Sequence, residues 1–219
     1  MKVAVIYRGM YLRDRPNSKS TNFFKVVENN KQLFLNLLPP HDLYLDTKSF
    51  DKKNDEQLQK SLNIKKIRFV SGNECSIDSI IKSFEIADFS SYDFVYSIRF
   101  GVKFNKPFSM FKIDETKFNC LWREPKRFNN RDNTRVSDHI FAFNPKYISK
   151  IKEADYQDKN ICYNSGELIG AIDKAHHICN YLKFDIEQDV NFMVEGEHWS
   201  GGYEYDVVGK SYIELQRGF

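Results

Sequence analysis

Two arginines at the ends of apolar segments are the residues of this sequence best suited to bind an anion. Arg8 follows the short apolar run Val3 to Tyr7, and Arg99 lies near the end of the segment Tyr92 to Gly101. A guanidinium group offers paired N–H donors that match the oxygens of a phosphate. Taken singly, each arginine is better explained by a surface ion pair, whereas the two together would suit a diphosphate.

The signatures of several other enzyme classes are absent from the sequence. There is no P-loop, and the run Arg8-Gly9-Met10 supplies one glycine where a dinucleotide fingerprint needs three. Neither the His-Glu-x-x-His zinc motif nor the Gly-x-Ser-x-Gly nucleophile motif occurs. Hydride transfer, P-loop phosphoryl transfer, zinc proteolysis and serine hydrolysis therefore have no support.

The composition predicts one soluble, folded domain. A chain of 219 residues with 41% hydrophobic and 15% aromatic residues can bury a sizeable core. The 33 basic and 30 acidic residues are interspersed and leave a net charge of +3, which does not indicate a nucleic-acid partner. Four scattered cysteines predict reduced thiols in a cytoplasmic protein. We expect no membrane span, because no stretch approaches the roughly 20 apolar residues that one requires.

Alternating strands and helices up to about residue 104 predict an α/β fold with a Rossmann-like, mostly parallel sheet between helices. The apolar run Val3 to Tyr7 predicts a strand covered on both faces. Polar residues from Arg13 to Ser20 separate it from a helical pattern over Phe23 to Leu38. The other elements predicted here are strands at Asp42 to Leu45, Ile67 to Val70 and Phe94 to Phe100, and helices at Asp55 to Leu62 and Ile77 to Phe84.

The second half of the chain has a different pattern of predicted elements. Strands are predicted at Phe118 to Trp122 and Ile140 to Phe143, with a helix beginning at Asn144-Pro145. Apolar steps of four and three predict one helix over Ser165 to Leu182. Late strands are predicted at Val190 to Val194 and Tyr212 to Leu215.

Ligands of open α/β sheets bind outside the carboxyl ends of the strands. Arg8 and Arg99 come at two such predicted ends, and the segment Arg135 to His139 leads into a third strand. We therefore expect the ligand site to involve these three places.

Three segments carry a family resemblance by their order and spacing: Tyr92 to Phe104, Arg135 to Tyr147, and Asp189 to Arg217. Over most of the chain, this arrangement resembles the GT-A-fold, nucleotide-sugar-dependent glycosyltransferases of polysaccharide synthesis and of large DNA viruses. The resemblance implies a single GT-A-like domain over 1–219, with a nucleotide-binding half (1–104) and a smaller acceptor-side half (105–219). It further implies transfer of a sugar from a nucleotide-diphosphate donor, such as a UDP-sugar, to a glycan or glycoprotein acceptor.

The resemblance also implies a divalent cation, Mn²⁺ or Mg²⁺, at the donor diphosphate. The family pattern places an acid after Ile98-Arg99-Phe100, and this sequence has Gly101 there. Another carboxylate could hold the metal, or arginine and lysine could replace it. Asp93 and His198 are the candidate metal ligands, although Asp93 also suits the entry to a strand and His198 an exposed loop.

The resemblance and the chemistry of glycosyl transfer together suggest roles for particular residues. Asp138 is the candidate catalytic base, with a turn aspartate as the alternative reading. Trp199 could stack on a sugar or base, though buried packing is the commoner role of tryptophan. The predicted substrate-binding residues are Arg8, Arg13, Arg99, Arg135 and Trp199.

Two other functions remain open from the sequence. Gly101, in place of the acid, favours a non-catalytic module that binds a nucleotide or sugar. Asp206 followed by Glu214-Leu215-Gln216 faintly matches the Asp…Glu-x-Lys pattern of metal-dependent nucleases, with glutamine at the lysine position. The even charge balance gives no evident DNA-binding surface for that second alternative.

Overall fold

The computed structural model describes residues 1–15, 18–70, 76–100, 102–104, 107–120, 136, 139–153, 165–181 and 213–215. Its strands are β1 (Val3–Gly9), β2 (Leu12–Arg15), β3 (Ser18–Asn22), β4 (His41–Lys48), β5 (Ile64–Val70), β6 (Phe94–Arg99), β7 (Val102–Phe104), β8 (Phe118–Cys120), β9 (Ile140–Phe143), β10 (Cys179–Tyr181) and β11 (Ile213–Leu215). The α-helices are α1 (Val27–Leu33), α2 (Lys52–Ser61), α3 (Ser76–Ser83), α4 (Lys146–Glu153) and α5 (Ser165–His176). Across these described ranges, no helix has both the length and the apolar character needed to cross a bilayer.

The described residues form a central sheet of seven strands, in the order β10-β8-β9-β6-β1-β4-β5. The pairs β1–β4, β1–β6, β4–β5 and β8–β10 are parallel, and β9 runs antiparallel to both β6 and β8. The hairpin β2–β3 occupies the segment that the sequence marked only as polar. The predicted fold class, an α/β fold with a Rossmann-like and mostly parallel sheet flanked by helices, is confirmed.

Two apolar cores lie on the two faces of this sheet, and the side chains of β1 alternate between them. Val3, Val5 and Tyr7 enter the core that is covered by α1 and α2, while Ala4 and Ile6 enter the core covered by α3, α4 and α5. All five side chains are fully buried. Strand β1 is thus covered on both faces, as its uninterrupted apolar run predicted.

The helix predicted over Phe23 to Leu38 is interrupted. Helix α1 ends before Phe34, whose φ of −133° lies outside the helical range, and short 3-10 turns precede and follow it. The Phe34 ring packs against Tyr96, Phe104 and Phe108 at centroid distances of 5.7, 5.4 and 4.8 Å. The spacing of apolar residues correctly predicted helical structure here. The helix nevertheless breaks at Phe34, where the ring packs against residues distant in sequence.

The helix predicted over Ser165 to Leu182 ends early, at His176. His177 has a φ of 50°, in the left-handed region, and β10 follows. The Asp173 carbonyl accepts a hydrogen bond from His177 N at 2.7 Å, and its carboxylate accepts one from Cys179 N at 2.8 Å. These bonds end the helix, and pairing with β8 then provides partners for the next residues. The prediction missed the strand because its partner is distant in sequence.

Asn119 on β8 is a fully buried hydrogen-bonding centre. Its Nδ2 donates to the carbonyls of Ala142, Asp114 and Lys117 at 2.8, 2.8 and 3.1 Å. Its Oδ1 accepts from Asp114 N at 2.9 Å and from Asn180 Nδ2 at 2.8 Å. One side chain therefore joins β8, β9, β10 and the turn before β8.

Replacing Asn119 by leucine should lower the free energy of unfolding by about 2–3 kcal/mol, because buried backbone groups would lose their partners. Urea denaturation followed by circular dichroism measures the change. Asn180→Ala is the matched control, since it removes one of the same hydrogen bonds from a half-buried position and should cost about 1 kcal/mol. Equal stability of Asn119→Leu and the wild type would contradict this role.

Candidate functional site

The sheet topology defines where a ligand crevice should lie. From β1, the chain continues outward to β4 and β5 on one side, and then returns to place β6 on the other side of β1. Ligands of open α/β sheets bind at such a reversal of strand order, outside the carboxyl ends of the strands. The ends of β1 and β6 therefore mark the expected crevice.

A row of charged residues crosses the sheet at this level. Arg8 on β1 is the Cα partner of both Asp46 on β4 and Arg99 on β6, and Asp46 is the partner of Arg68 on β5. Partnered residues on neighbouring strands project to the same face. His139 extends the row, because its carbonyl accepts a hydrogen bond from Arg99 N at 2.9 Å. These five residues are called the carboxyl-edge row below.

Arg8 is a buried cation that its surroundings hold in place. Only 6% of the residue is exposed, and its Nε donates to Ser97 Oγ at 2.8 Å. Its guanidinium carbon lies 5.0 Å from the centroid of the Phe141 ring, within the range of a cation–π contact. The hydrogen bond to Ser97 and the contact with the Phe141 ring together fix the orientation of the Arg8 guanidinium group.

Asp46 and Arg68 form a two-point ion pair beside Arg8. Arg68 Nε donates to Asp46 Oδ1 at 2.6 Å, and Nη2 donates to Oδ2 at 2.9 Å. The Asp46 side chain is fully buried and that of Arg68 is 25% exposed. Two parallel charge-assisted hydrogen bonds form one of the stronger polar contacts in proteins. Both residues belong to the site although the sequence did not single them out.

Most side chains of β1, β6 and β9 beneath the carboxyl-edge row are apolar. Below the carboxyl-edge row, β1 and β9 contribute Ile6 and Phe141, and the lowest layer contains Ala4, Val95 and Phe143. All are buried in the core beneath α3, α4 and α5. The charged groups of the row therefore lie on an apolar floor. Such surroundings strengthen their interaction with an anion relative to open water.

The structure brings together some of the residues predicted from the sequence. Arg8 and Arg99 are direct neighbours at the crevice, as a diphosphate site requires. Arg13 belongs to β2, whose backbone alone is described. Other predicted site positions lie outside the described residues: Gly101, Arg135, Asp138, His198 and Trp199.

Asp93, a predicted metal ligand, lies at the opposite edge of the sheet from Arg99. Its carboxylate accepts a hydrogen bond from the backbone N of Lys2 at 2.5 Å, and its own N–H donates to the Lys2 carbonyl at 2.9 Å. Six residue-to-residue steps of about 3.3 Å each separate Asp93 from Arg99, roughly 20 Å in all. Asp93 and the two arginines therefore do not contribute to one site.

The described residues contain no group of three or more His, Cys, Asp or Glu side chains able to hold a metal ion. In the carboxyl-edge row, both oxygens of the Asp46 carboxylate already accept hydrogen bonds from Arg68. Three guanidinium groups with one carboxylate suit an anion better than a cation. The described part of the row therefore does not fit a metal centre.

A second polar cluster lies at the amino edge of the same face. Asp42 accepts hydrogen bonds from Lys65 Nζ at 2.7 Å and from Tyr92 Oη at 2.5 Å, and the Tyr92 and Tyr44 hydroxyls are 2.6 Å apart. The bonds from Lys65 and then Tyr92 lower the pKa of the Asp42 carboxyl. Burial, reinforced by the bond to Asp42, raises the pKa of Tyr92. The cluster ties β4, β5 and the segment before β6 together, which is a structural role.

A cavity of about 1020 Å³ also opens at the amino edge, between the segment 84–93 and α4. Its walls carry groups of both signs, including the ion pair between Lys152 Nζ and Glu85 Oε1 at 3.1 Å. Asp93 also lines it and is bound to the backbone N of Lys2. The cavity is remote from the carboxyl-edge row, and the topology does not predict a ligand there.

No protein-family model matches the chain, and no curated protein matches it. Solved structures similar to it include the glycosyltransferase GlyE of Streptococcus pneumoniae, at 10% identity and a TM-score of 0.46, over 83% of this chain and 45% of that one. A nucleoside-diphosphate-sugar pyrophosphorylase from Vibrio cholerae is similar at 12% identity and a TM-score of 0.48, over 83% and 91% of the two chains.

A mutant of the Drosophila β-1,4-galactosyltransferase 7, in complex with manganese, UDP-Gal and xylobiose, is similar at 10% identity and a TM-score of 0.46. The similarity covers 83% of this chain and 65% of that one. The chain thus spans less than half of GlyE and just under two thirds of the galactosyltransferase.

Proposed function

We propose that the chain binds a nucleotide-diphosphate sugar at the carboxyl-edge row and transfers the sugar to a hydroxyl group of a glycan or glycoprotein. The observation that carries the proposal is the direct pairing of Arg8 with Arg99 on the strands that flank the topological reversal. The segment resemblance to GT-A-fold glycosyltransferases supplies the reaction class.

In this proposal, the leaving diphosphate is stabilised mainly by fixed positive charge. Arg8 is already oriented by Ser97 and Phe141, so little reorganisation is needed as negative charge develops on the leaving group. Arg99 lies at the end of β6, and its side chain is exposed to solvent. Together, the two arginines can contact oxygens of both phosphates.

The remaining roles in the proposal rest on the sequence. Asp138, next to His139 of the row, is the proposed base that takes the proton of the acceptor hydroxyl. Arg13, Arg135 and Trp199 are proposed to contact the substrates. A divalent cation, Mn²⁺ or Mg²⁺ near His198, would add to the neutralisation of the diphosphate.

Thermal unfolding in the presence of nucleotide sugars tests the proposal directly. Ligands that bind only the folded chain raise its Tm. UDP-, GDP- and dTDP-sugars should be compared, each with Mn²⁺ and with a chelator. A rise of several degrees with one nucleotide class, together with donor turnover, supports the proposal, and no shift with any nucleotide sugar rejects it.

Arg99→Ala should weaken binding of the active nucleotide sugar by about 3- to 10-fold. Loss of an exposed charge-assisted hydrogen bond costs about 1 kcal/mol. Titration calorimetry gives the Kd. Lys146→Ala is the matched control, because Lys146 is an exposed cation at the amino edge and its removal should leave the Kd unchanged. Equal affinities of wild type and Arg99→Ala would remove Arg99 from the site.

A non-catalytic module that binds the same ligand is the second candidate. Gly101, where the family pattern has an acid, favours this alternative. It predicts a Tm rise with a nucleotide sugar but neither hydrolysis nor transfer, with or without Mn²⁺. Product analysis of the same samples distinguishes the two candidates.

A further inference from the structure

Cys120 and Cys179 place two thiol sulfurs 3.8 Å apart, beneath the carboxyl-edge row on the same side of the sheet. Cys120 is the last residue of β8 and Cys179 the first of β10, and these strands are parallel neighbours. Both side chains pack against the core beneath α3, α4 and α5, so they share one side of the sheet. Neither sulfur is part of a disulfide bond.

We propose that Cys120 and Cys179 form a redox-active dithiol, which closes to an intramolecular disulfide on reaction with a small-molecule disulfide such as oxidised glutathione. The difference in solvent exposure predicts which of the two thiols reacts first. Cys120 is fully buried, whereas Cys179 is half-buried and can meet a reagent from solvent. Cys179 is therefore the attacking thiol and Cys120 the resolving thiol.

The reaction balances without a further oxidant. The Cys179 thiolate attacks one sulfur of the small disulfide, forms a mixed disulfide and releases one thiolate. The Cys120 thiolate then attacks the Cys179 sulfur, forms the intramolecular bond and releases the second thiolate. The two protons from the cysteines end on the two released thiols, so that the protein loses two electrons and the reagent gains them.

The position of β10 allows the sulfurs to meet. A disulfide requires an S–S distance of about 2.05 Å and Cα atoms within about 7 Å of each other. The sulfurs must therefore approach by nearly 2 Å. Because the diagonal register puts the two Cα atoms roughly 7–8 Å apart, closure also requires the backbone of β10 to move towards β8. Strand β10 has three residues and, among the strands that the structure describes, lies at the edge of the sheet with β8 as its neighbour. A short edge strand paired on one side can shift more readily than a central one.

The register of the two strands makes the bond diagonal. Cys179 is the Cα partner of Phe118, and Cys120 is the partner of Tyr181. A diagonal disulfide departs from relaxed geometry, and strained disulfides are the more easily reduced ones. The bond should therefore form and reopen reversibly, as a regulatory disulfide does.

The disulfide would also enclose the part of the chain between the two cysteines in a covalent loop. That part includes β9, α4 and α5, and it contains Asp138 and His139. A crosslink removes conformational freedom from the unfolded chain, more so for a long enclosed loop. We expect the oxidised protein to unfold several degrees higher than the reduced one.

The test uses the full chain with Cys75→Ser and Cys162→Ser, which leaves only the pair. After incubation with oxidised glutathione under native conditions, intact mass spectrometry should detect the loss of two hydrogens, no maleimide-reactive thiol and a higher Tm. Millimolar dithiothreitol should reverse all three changes. In the matched control, which carries Cys120→Ser as well, Cys179 should retain one glutathione as a mixed disulfide.

Retention of glutathione, disulfide-linked dimers or two unreacted thiols in the two-cysteine protein would each overturn the proposal. The wild-type chain provides a second measurement that does not depend on the serine substitutions. After the same oxidation and proteolysis, it should yield a peptide pair joined through Cys120 and Cys179. Absence of that crosslinked pair would equally overturn the proposal.

Discussion

Asp46→Ala should lower the free energy of unfolding by about 3 kcal/mol, within the range found when one partner of a buried ion pair is removed. The substitution leaves Arg68 Nε and Nη2 without the carboxylate that accepts from both of them. It also removes the negative charge next to Arg8 in the carboxyl-edge row. Because the Arg68 side chain is 25% exposed, partial hydration limits the loss to the lower end of that range.

Asp42→Ala is a matched control on the same strand and the same face. Asp42 also pairs with a cation on β5, Lys65, but the two side chains are 31% and 51% exposed. Exposed ion pairs contribute little, so this variant should lose about 1 kcal/mol, including its hydrogen bond from Tyr92. Urea denaturation, followed by both circular dichroism and tryptophan fluorescence, gives the comparison and checks for a two-state transition.

Removing both members of the Asp46–Arg68 pair separates the cost of an unpaired charge from the value of the pair. Asp46→Leu combined with Arg68→Met should be more stable than Asp46→Ala alone, because neither charge then remains without its partner. If Asp46→Ala loses no more than Asp42→Ala, the ion pair does not stabilise the carboxyl edge and our interpretation fails.

Both strands that flank the crevice, and the arginines at or next to their carboxyl ends, were predictable from the sequence. The apolar runs of β1 and β6 are local signals, since a strand buried on both faces needs consecutive apolar residues. A polar residue directly after such a run comes at the strand end. The alternating pattern indicated a mostly parallel sheet, but the placement of Arg8 and Arg99 at one level also depends on β1 and β6 being neighbours in this register.

Asp46, Arg68 and His139 could not be identified in the same way. The second strand was predicted to end at Leu45, one residue before Asp46, and nothing local distinguishes Arg68 from the lysines beside it. Their common level is a consequence of strand register across β4, β5 and β9, which links residues far apart in sequence. Register follows from the packing of the whole sheet, so it is not visible in any one segment.

The register also determines which charged residues lie together at each end of the sheet. At the amino edge, the carboxylate of Asp42 and the amine of Lys65 balance each other. At the carboxyl edge, Asp46 is matched by Arg68, and the row has two further guanidinium groups, those of Arg8 and Arg99. In our proposal, the diphosphate of the donor contacts the guanidinium groups of Arg8 and Arg99 in this row.

Arg8→Met should weaken binding of the active nucleotide sugar by about 10- to 100-fold, the larger of the two arginine effects. A hydrogen bond to a charged group in buried surroundings contributes about 1.5–3 kcal/mol. Methionine fills similar space against the Phe141 ring and leaves no buried charge, so the fold should tolerate it. The Kd from titration calorimetry, together with the Tm of the free protein, separates loss of affinity from loss of stability.

Two further variants determine which property of Arg8 matters. Arg8→Lys keeps the charge but loses the planar group that Ser97 and Phe141 orient, so it should recover only part of the affinity. Ser97→Ala keeps Arg8 itself but removes the hydroxyl that accepts from its Nε, and should weaken binding a few-fold. Because both side chains are buried, it should also lower the Tm. If Arg8→Lys binds as tightly as the wild type, charge alone suffices and the orientation by Ser97 has no role. If Arg8→Met also binds as tightly, the diphosphate is not bound at the carboxyl-edge row.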